Sequence, residues 1–156
     1  MTTRAKPAKH YTATAYIFSD SAPIKTLLVH HKKFGNWIPP GGHQEAWENP
    51  VEAIIREVRE ETGLDVSSYL AAGTPLDDSG TFLLRPNYLV ECDIPPHGKD
   101  PAHFHLDQVY VIRIPEQPPA VSRESHAVRW YTLEELDALP MFNNVRLIIS
   151  QEMSQL

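Results

Sequence analysis

The sequence predicts an α/β fold in which a mixed β-sheet lies between helices. Three observations carry the prediction: β-rich runs at residues 11–19, 24–31 and 103–114; a sharply punctuated amphipathic helix between Asn49 and Gly63; and a last segment with apolar residues at helical spacing. The 156 residues suit one domain, with enough chain to bury most of its apolar surface on folding. A net charge of −6 and a pI near 5.7 argue against a nucleic-acid polymer or an anionic membrane as the main partner. An anionic substrate would have to bring its own cations. Residues 1–9 are polar and basic and read as a flexible tail ahead of a single domain over residues 10–156. No run approaches the length of a transmembrane helix, so a soluble, cytoplasmic protein is expected. Cys92 is the only cysteine, which excludes a disulfide framework and a sulfur-rich metal site and leaves a small buried or half-buried thiol.

In chain order, residues 11–19 form a first strand, Ser19-Asp20-Ser21-Ala22-Pro23 has turn composition, and residues 24–31 form a second strand, so the two are expected to make a hairpin. His30, His31, Lys32 and Lys33 form a small cationic group ahead of Phe34 and Trp37. It suits a phosphate or the flat base of a nucleotide, and equally a solvated loop with one aromatic docked on the core. Pro39 and Pro40 stiffen the approach to Gly41 and Gly42. Beyond the helix, residues 67–76 and 81–92 read as strands broken by Asp77-Asp78-Ser79-Gly80, and residues 94–101 as a proline-rich loop. A strand over 103–114 follows, then a loop carrying Glu124 and a short strand over 127–131. Thr132 and Glu135 have capping-box spacing for a short helix ending by Pro140. Asn143 or Asn144 caps a last helix, with Val145, Ile148, Ile149 and Met153 turned to the sheet.

The central helix is the most informative element. Asn49 supplies a cap, Pro50 occupies the first turn where a missing N–H costs nothing, and Gly63 is the stop. At about 100° per residue, Val51, Ile54, Ile55 and Val58 form an apolar stripe, with Glu57, Glu60 and Glu61 on the neighbouring face. Like charges three and four apart destabilise a helix by roughly 0.2–0.5 kcal/mol per pair, so something must offset them. One reading is a solvated acidic face relieved by Arg56 and Arg59. The other is a hard divalent cation held by carboxylate oxygens. Gly41 and Gly42 favour the second, because they let backbone approach a ligand where a Cβ would obstruct it.

Gly42, five residues, Glu48, seven residues, and then Arg56-Glu57-Val58-Arg59-Glu60-Glu61-Thr62-Gly63-Leu64 is a strongly specific pattern. It resembles the signature of the Nudix hydrolases at every defined position. The resemblance implies an α/β/α sandwich and a metal-dependent hydrolase. It implies Glu57, Glu60 and Glu61 as ligands of Mg²⁺ or Mn²⁺, with the backbone carbonyl of Gly41 joining them. It also implies Gly42, Glu48, Arg56 and Gly63 as structural support, with Glu48 and Arg56 forming the salt bridge that pins the loop to the helix. Many members place another glutamate in a loop comparable to that of Glu124, as a further ligand or general base; a plain surface carboxylate is the competing reading. Nudix domains often pair, which leaves a homodimer open.

In the strand over 103–114, period two sets His103, His105, Asp107 and Val109 on one face and Phe104, Leu106, Gln108 and Tyr110 on the other. Three side chains spaced about 6.5–7 Å apart along a strand can converge on a metal or a phosphate, or can simply be a polar sheet face. With Trp37, they are the candidate substrate contacts. The expected reaction is hydrolysis of a diphosphate linkage in a nucleoside diphosphate joined to another group, by in-line attack of activated water, with Glu57 or Glu124 accepting the proton. The alternative is a non-catalytic module that senses a nucleotide or a metal. Residues 78–81 match neither the proline nor the tyrosine that marks certain Nudix subfamilies, so the leaving group is unassigned.

Overall fold

A computed structural model describes residues 6–156. Most of the tail expected over residues 1–9 lies outside the described residues, and the first strand already begins at Lys9. The strands are β1 (Lys9–Ser19), β2 (Lys25–His31), β3 (Trp37–Ile38), β4 (Gly41–His43), β5 (Thr74–Asp77), β6 (Gly80–Phe82), β7 (Tyr88–Ile94), β8 (His103–Ile114) and β9 (Ser125–Thr132). The helices are α1 (Pro50–Thr62) and α2 (Asn143–Met153). No helix among the described residues is long and apolar enough to cross a membrane.

The main sheet runs β3-β2-β1-β8-β7, with β4 also on β1 and β9 also on β2. β1 lies parallel to β8 from Lys9 opposite Phe104 to Ser19 opposite Ile114, while the remaining pairings are antiparallel, so the sheet is mixed. The hairpin expected of β1 and β2 exists only near its turn. They pair at Phe18 and Thr26 and then diverge, β1 towards β8 and β2 towards β9. The gap between them is filled by the segment from β3 to β4. Trp37 and Ile38 pair with β2, Gly41 to His43 pair with β1, and the Ala15 N–H donates to the Pro40 carbonyl at 2.9 Å.

Alternation along the strands divides the interior into two layers. Ala13, Ala15, Ile17, Leu27, Val29, Tyr110 and Ile112 face α1 with its Ile54 and Val58. Tyr16, Phe18, Leu28, Trp37 and Val109 face Val145 and Ile149 of α2. Burying such side chains contributes roughly 1.5–3 kcal/mol each, and the result is the expected helix–sheet–helix sandwich.

Four local expectations are corrected. Residues 67–76 are not one strand: the Asp65 carboxylate accepts the Ser67 N–H at 2.9 Å, Ser67–Tyr69 forms a 3-10 turn, and only Thr74–Asp77 extends. The strand expected over 81–92 is interrupted before Pro86, leaving β5 and β6 as a separate exposed two-stranded sheet. The helix after Thr132 is a 3-10 turn, Glu134–Ala138, in which Glu135 accepts the Thr132 N–H but no side chain caps the turn. Neither Asn143 nor Asn144 caps α2, whose cap position is Phe142 with no side-chain bond. Cys92 is half-buried.

At α1 the cap is reciprocal. The Asn49 carbonyl oxygen accepts the Glu52 N–H at 3.0 Å and the Glu52 carboxylate accepts the Asn49 N–H at 2.9 Å, a box whose second half the spacing from Asn49 to Glu52 already contains. Urea unfolding should therefore show Asn49→Ala losing about 1 kcal/mol, with Asn143→Ala staying within about 0.5 kcal/mol of the parent.

Candidate active site

The residues buried on α1 are Ala53, Ile54, Val58, Glu61 and Thr62, with Val51 and Ile55 only partly covered. The acidic stripe is thus not merely beside the core-facing stripe: Glu61 belongs to it, at 6% exposure. Its Oε2 accepts the Gly41 N–H at 3.0 Å. Burial pushes this carboxyl up to about 8 against the opposing effect of that N–H, and the nearby charges of Glu57, Glu124 and Glu60 push it further the same way.

Glu57 lies one turn earlier on the same side. Burial raises its pKa, although Arg56 Nη1 donates to its Oε1 at 2.8 Å. A Cβ on Gly42 would stand 2.5 Å from that oxygen, and one on Gly41 would stand 2.4 Å from the Ala13 carbonyl. Gly41 is therefore required by contact with backbone, while a side chain at Gly42, on the opposite side of β4, would displace the Glu57 carboxylate. Arg56 is the brace. It bonds Glu48 through Nε and Nη2, the His43 carbonyl at 3.0 Å and Glu60 at 3.2 Å. That fork holds the Glu48 carboxyl below its usual range. Glu60 itself is largely exposed. Gly63 closes the helix at φ 73°, with its N–H on the Arg59 carbonyl at 2.9 Å.

Glu124 comes from the loop before β9. Lys32 holds that loop, its N–H donating to the Glu124 carbonyl at 3.1 Å and its Nζ to the Arg123 carbonyl at 2.8 Å. One ligating atom from each of His31, Glu61 and Glu124 lies within 4.8 Å of the others. Burial lowers the His31 pKa, and the Lys33 N–H donates to its Nδ1 at 3.1 Å. The neutral ring therefore carries its proton on Nε2 as a donor. Sequence reasoning grouped His31 with its cationic neighbours. The alternation of β2 separates them, since Leu27 and Val29 face α1 and His31 continues that side, while His30 turns to Trp37.

The four candidate substrate contacts sit elsewhere. Trp37 is 8% exposed, stacked on His30 at 4.9 Å and met edge-on by Tyr131 at 5.0 Å. Asp107 Oδ1 accepts from the hydroxyls of Thr12 and Thr14, each at 2.9 Å, and does not turn to the imidazoles. His103 and His105 meet at 3.1 Å between their Nε2 atoms, joined by His10 and His43. Gly42 faces Glu57, so His43 next to it faces away, and this group occupies the sheet face opposite α1.

A set of clustered carboxylates, one of them buried beside a backbone amide, is a hard oxygen donor set, which Mg²⁺ or Mn²⁺ fits. The model for the NUDIX domain matches residues 8–151. The chain belongs to the Nudix hydrolase family. As such it is a pyrophosphohydrolase, acting on phosphoanhydride bonds, in a family that generally uses divalent metals. Among its relatives, the bis(5'-nucleosyl)-tetraphosphatase (asymmetrical) of Mus musculus is 29% identical over 140 residues, covering 85% of this chain and 80% of the mouse protein. A crystal structure of a NUDIX-family hydrolase from Clostridium perfringens superposes with a TM-score of 0.71 at 26% identity, covering 94% of this chain and 97% of that one. The NUDIX domain of Shewanella oneidensis NrtR, complexed with ADP ribose, shares the fold at a TM-score of 0.65 and 18% identity, over 96% of this Nudix chain and 90% of its own.

A carboxyl whose folded pKa lies above its unfolded one stabilises the fold below the unfolded value and loses that contribution as pH rises through the folded value. The stabilisation that Glu61 gives the metal-free protein, read calorimetrically as the melting temperature of the parent minus that of Glu61→Gln, should therefore fall as pH rises from about 4.5 to about 8.

Proposed function

We propose that this Nudix hydrolase cleaves a diphosphate linkage in a nucleoside diphosphate joined to another group, with a dinucleoside polyphosphate as the leading substrate class. The observation that carries the reading is the convergence of Glu57 and Glu124 on Glu61, which is buried against Gly41. The name of the mouse relative supports the choice of a dinucleoside polyphosphate, and the ADP ribose of the Shewanella domain supports a nucleoside diphosphate as the common element.

In this reading Glu57, Glu60, Glu61 and the Gly41 carbonyl hold Mg²⁺ or Mn²⁺. When bound, the ion neutralises phosphate oxygens and lowers the pKa of water. The protein's own groups do the rest. Water attacks phosphorus in line, the anhydride P–O bond breaks, and Glu57 or Glu124 accepts the proton released by the water. His31, a neutral donor, is placed to hydrogen-bond an anionic oxygen in the same cleft. Glu48 and Arg56 keep the loop and the helix in register, so that the carboxylates are held before substrate arrives. One catalytic domain over residues 10–156, a cytoplasmic location, a small phosphorylated substrate with no nucleic-acid polymer, and a homodimer complete the proposal.

A panel of nucleoside triphosphates, nucleotide sugars and dinucleoside polyphosphates with Mg²⁺ or Mn²⁺ tests it. Cleavage within the polyphosphate should appear, and Glu60→Gln and Glu61→Gln should each lower kcat by about 100-fold or more while circular dichroism is unchanged. Tight binding with no cleavage would instead identify a sensing module. Near-parental turnover in Glu124→Gln would leave the proton to Glu57.

A further inference from the structure

The imidazoles of His10, His43, His103 and His105 form a second cluster that the hydrolytic chemistry does not use. They come from three adjacent strands. His10 on β1 lies opposite His105 on β8 in parallel register, and Thr12, the next residue of β1 on that face, lies opposite His43 on β4. Ring centroids are 4.8 Å apart for His10 and His103, 4.9 Å for His43 and His105, and 4.9 Å for His103 and His105. One ring nitrogen from each of the four lies within 4.8 Å of the others.

We propose that these four histidines form a tetrahedral site for a borderline-soft divalent cation of the Zn²⁺ class, separate from the carboxylate site and structural in role. Four Zn–N bonds of 2.0–2.1 Å set tetrahedral edges of about 3.3–3.4 Å, and the 3.1 Å between the Nε2 atoms of His103 and His105 already approaches one such edge. The outer contacts are of the right kind. His103 Nδ1 lies 2.9 Å from the Pro101 carbonyl, which can only accept, so Nδ1 carries the proton and the neutral ring presents the Nε2 lone pair. His10 and His43 are exposed while His103 and His105 are half-buried, which provides an open entry on one side and a fixed floor on the other. The all-nitrogen donor set discriminates against Mg²⁺, whose preference is for oxygen. A bound ion would tie the beginning of β1 and the end of β4 to β8. It would also fix His43, whose carbonyl receives Arg56 from the other face.

The test uses the full chain stripped of metal and titrated calorimetrically with Zn²⁺ in excess Mg²⁺, in the parent and in Glu57→Gln/Glu61→Gln, which lacks the carboxylate alternative. One Zn²⁺ per chain should bind in both, and Co²⁺ in its place should give the intense visible absorption of a four-coordinate ion. His105→Gln should weaken Zn²⁺ binding by at least about 100-fold, the upper end of what losing even a supporting partner costs. The exposed His10→Gln should do so without loss of the native circular dichroism, so misfolding of the His105 variant cannot mask the answer. Zn²⁺ binding abolished by the double glutamine variant, unaltered by His10→Gln, or accompanied by a six-coordinate Co²⁺ spectrum would overturn the site.

Discussion

Everything in the cleft depends on a carboxylate placed where a hydrophobic residue would ordinarily go. Glu61 shares the buried face of α1 with Ile54 and Val58, and among the described residues its one direct backbone partner is the Gly41 N–H. Packing of the apolar neighbours fixes its position, and the missing Cβ atoms at positions 41 and 42 leave room for β4 to lie between Ala13 and Glu57. The arrangement concentrates negative charge that the protein alone only partly offsets. Arg56 is shared among Glu48, Glu57 and Glu60, and none of its contacts reaches Glu61. The remaining imbalance is the negative charge that the proposed divalent cation would offset.

The divergence of β1 from β2 gives the molecule its two chemically distinct faces. Because the strands separate after Phe18 and Thr26, the Trp37–His43 segment enters the sheet between them. Its pleat then points Gly42 at the acidic helix and His43 at the imidazoles. Carboxylate oxygens gather on one side and imidazole nitrogens on the other, a single peptide apart. Hard and borderline cations would be sorted by that partition without any change in backbone.

The parts of this structure that were legible in the sequence are those governed by near neighbours. Asn49, Pro50 and Gly63 bound α1 because caps act within a turn, and the faces of β8 follow from alternation alone. The glutamates of α1 fall on one helix by spacing. What the sequence concealed depends on partners far along the chain. The parallel register of β1 and β8 brings His10 beside His105, and the tether from Lys32 brings Glu124 beside Glu61. Neither leaves a local mark. Sequence alone offers Asp107 through its strand face and Trp37 through its cationic neighbours, while in the structure Trp37 is covered by His30 and Tyr131 and Asp107 is engaged by two threonines. The strand expected over residues 67–76 failed for a local reason, an Asx turn at Asp65 that competes with extension.

The pairing of β1 with β8 also bears on how the chain reaches this state. The earliest strand to be made finds its longest partner only when Ile114 is in place, across the whole of α1 and the β5–β6 excursion. Contacts so distant in sequence must close a large loop before they repay its entropy, which slows assembly. Until then the backbone edge of β1 that β8 covers, from Lys9 to Ser19, is unpaired, so a nascent or truncated chain ending before β8 would expose a strand edge prone to self-association.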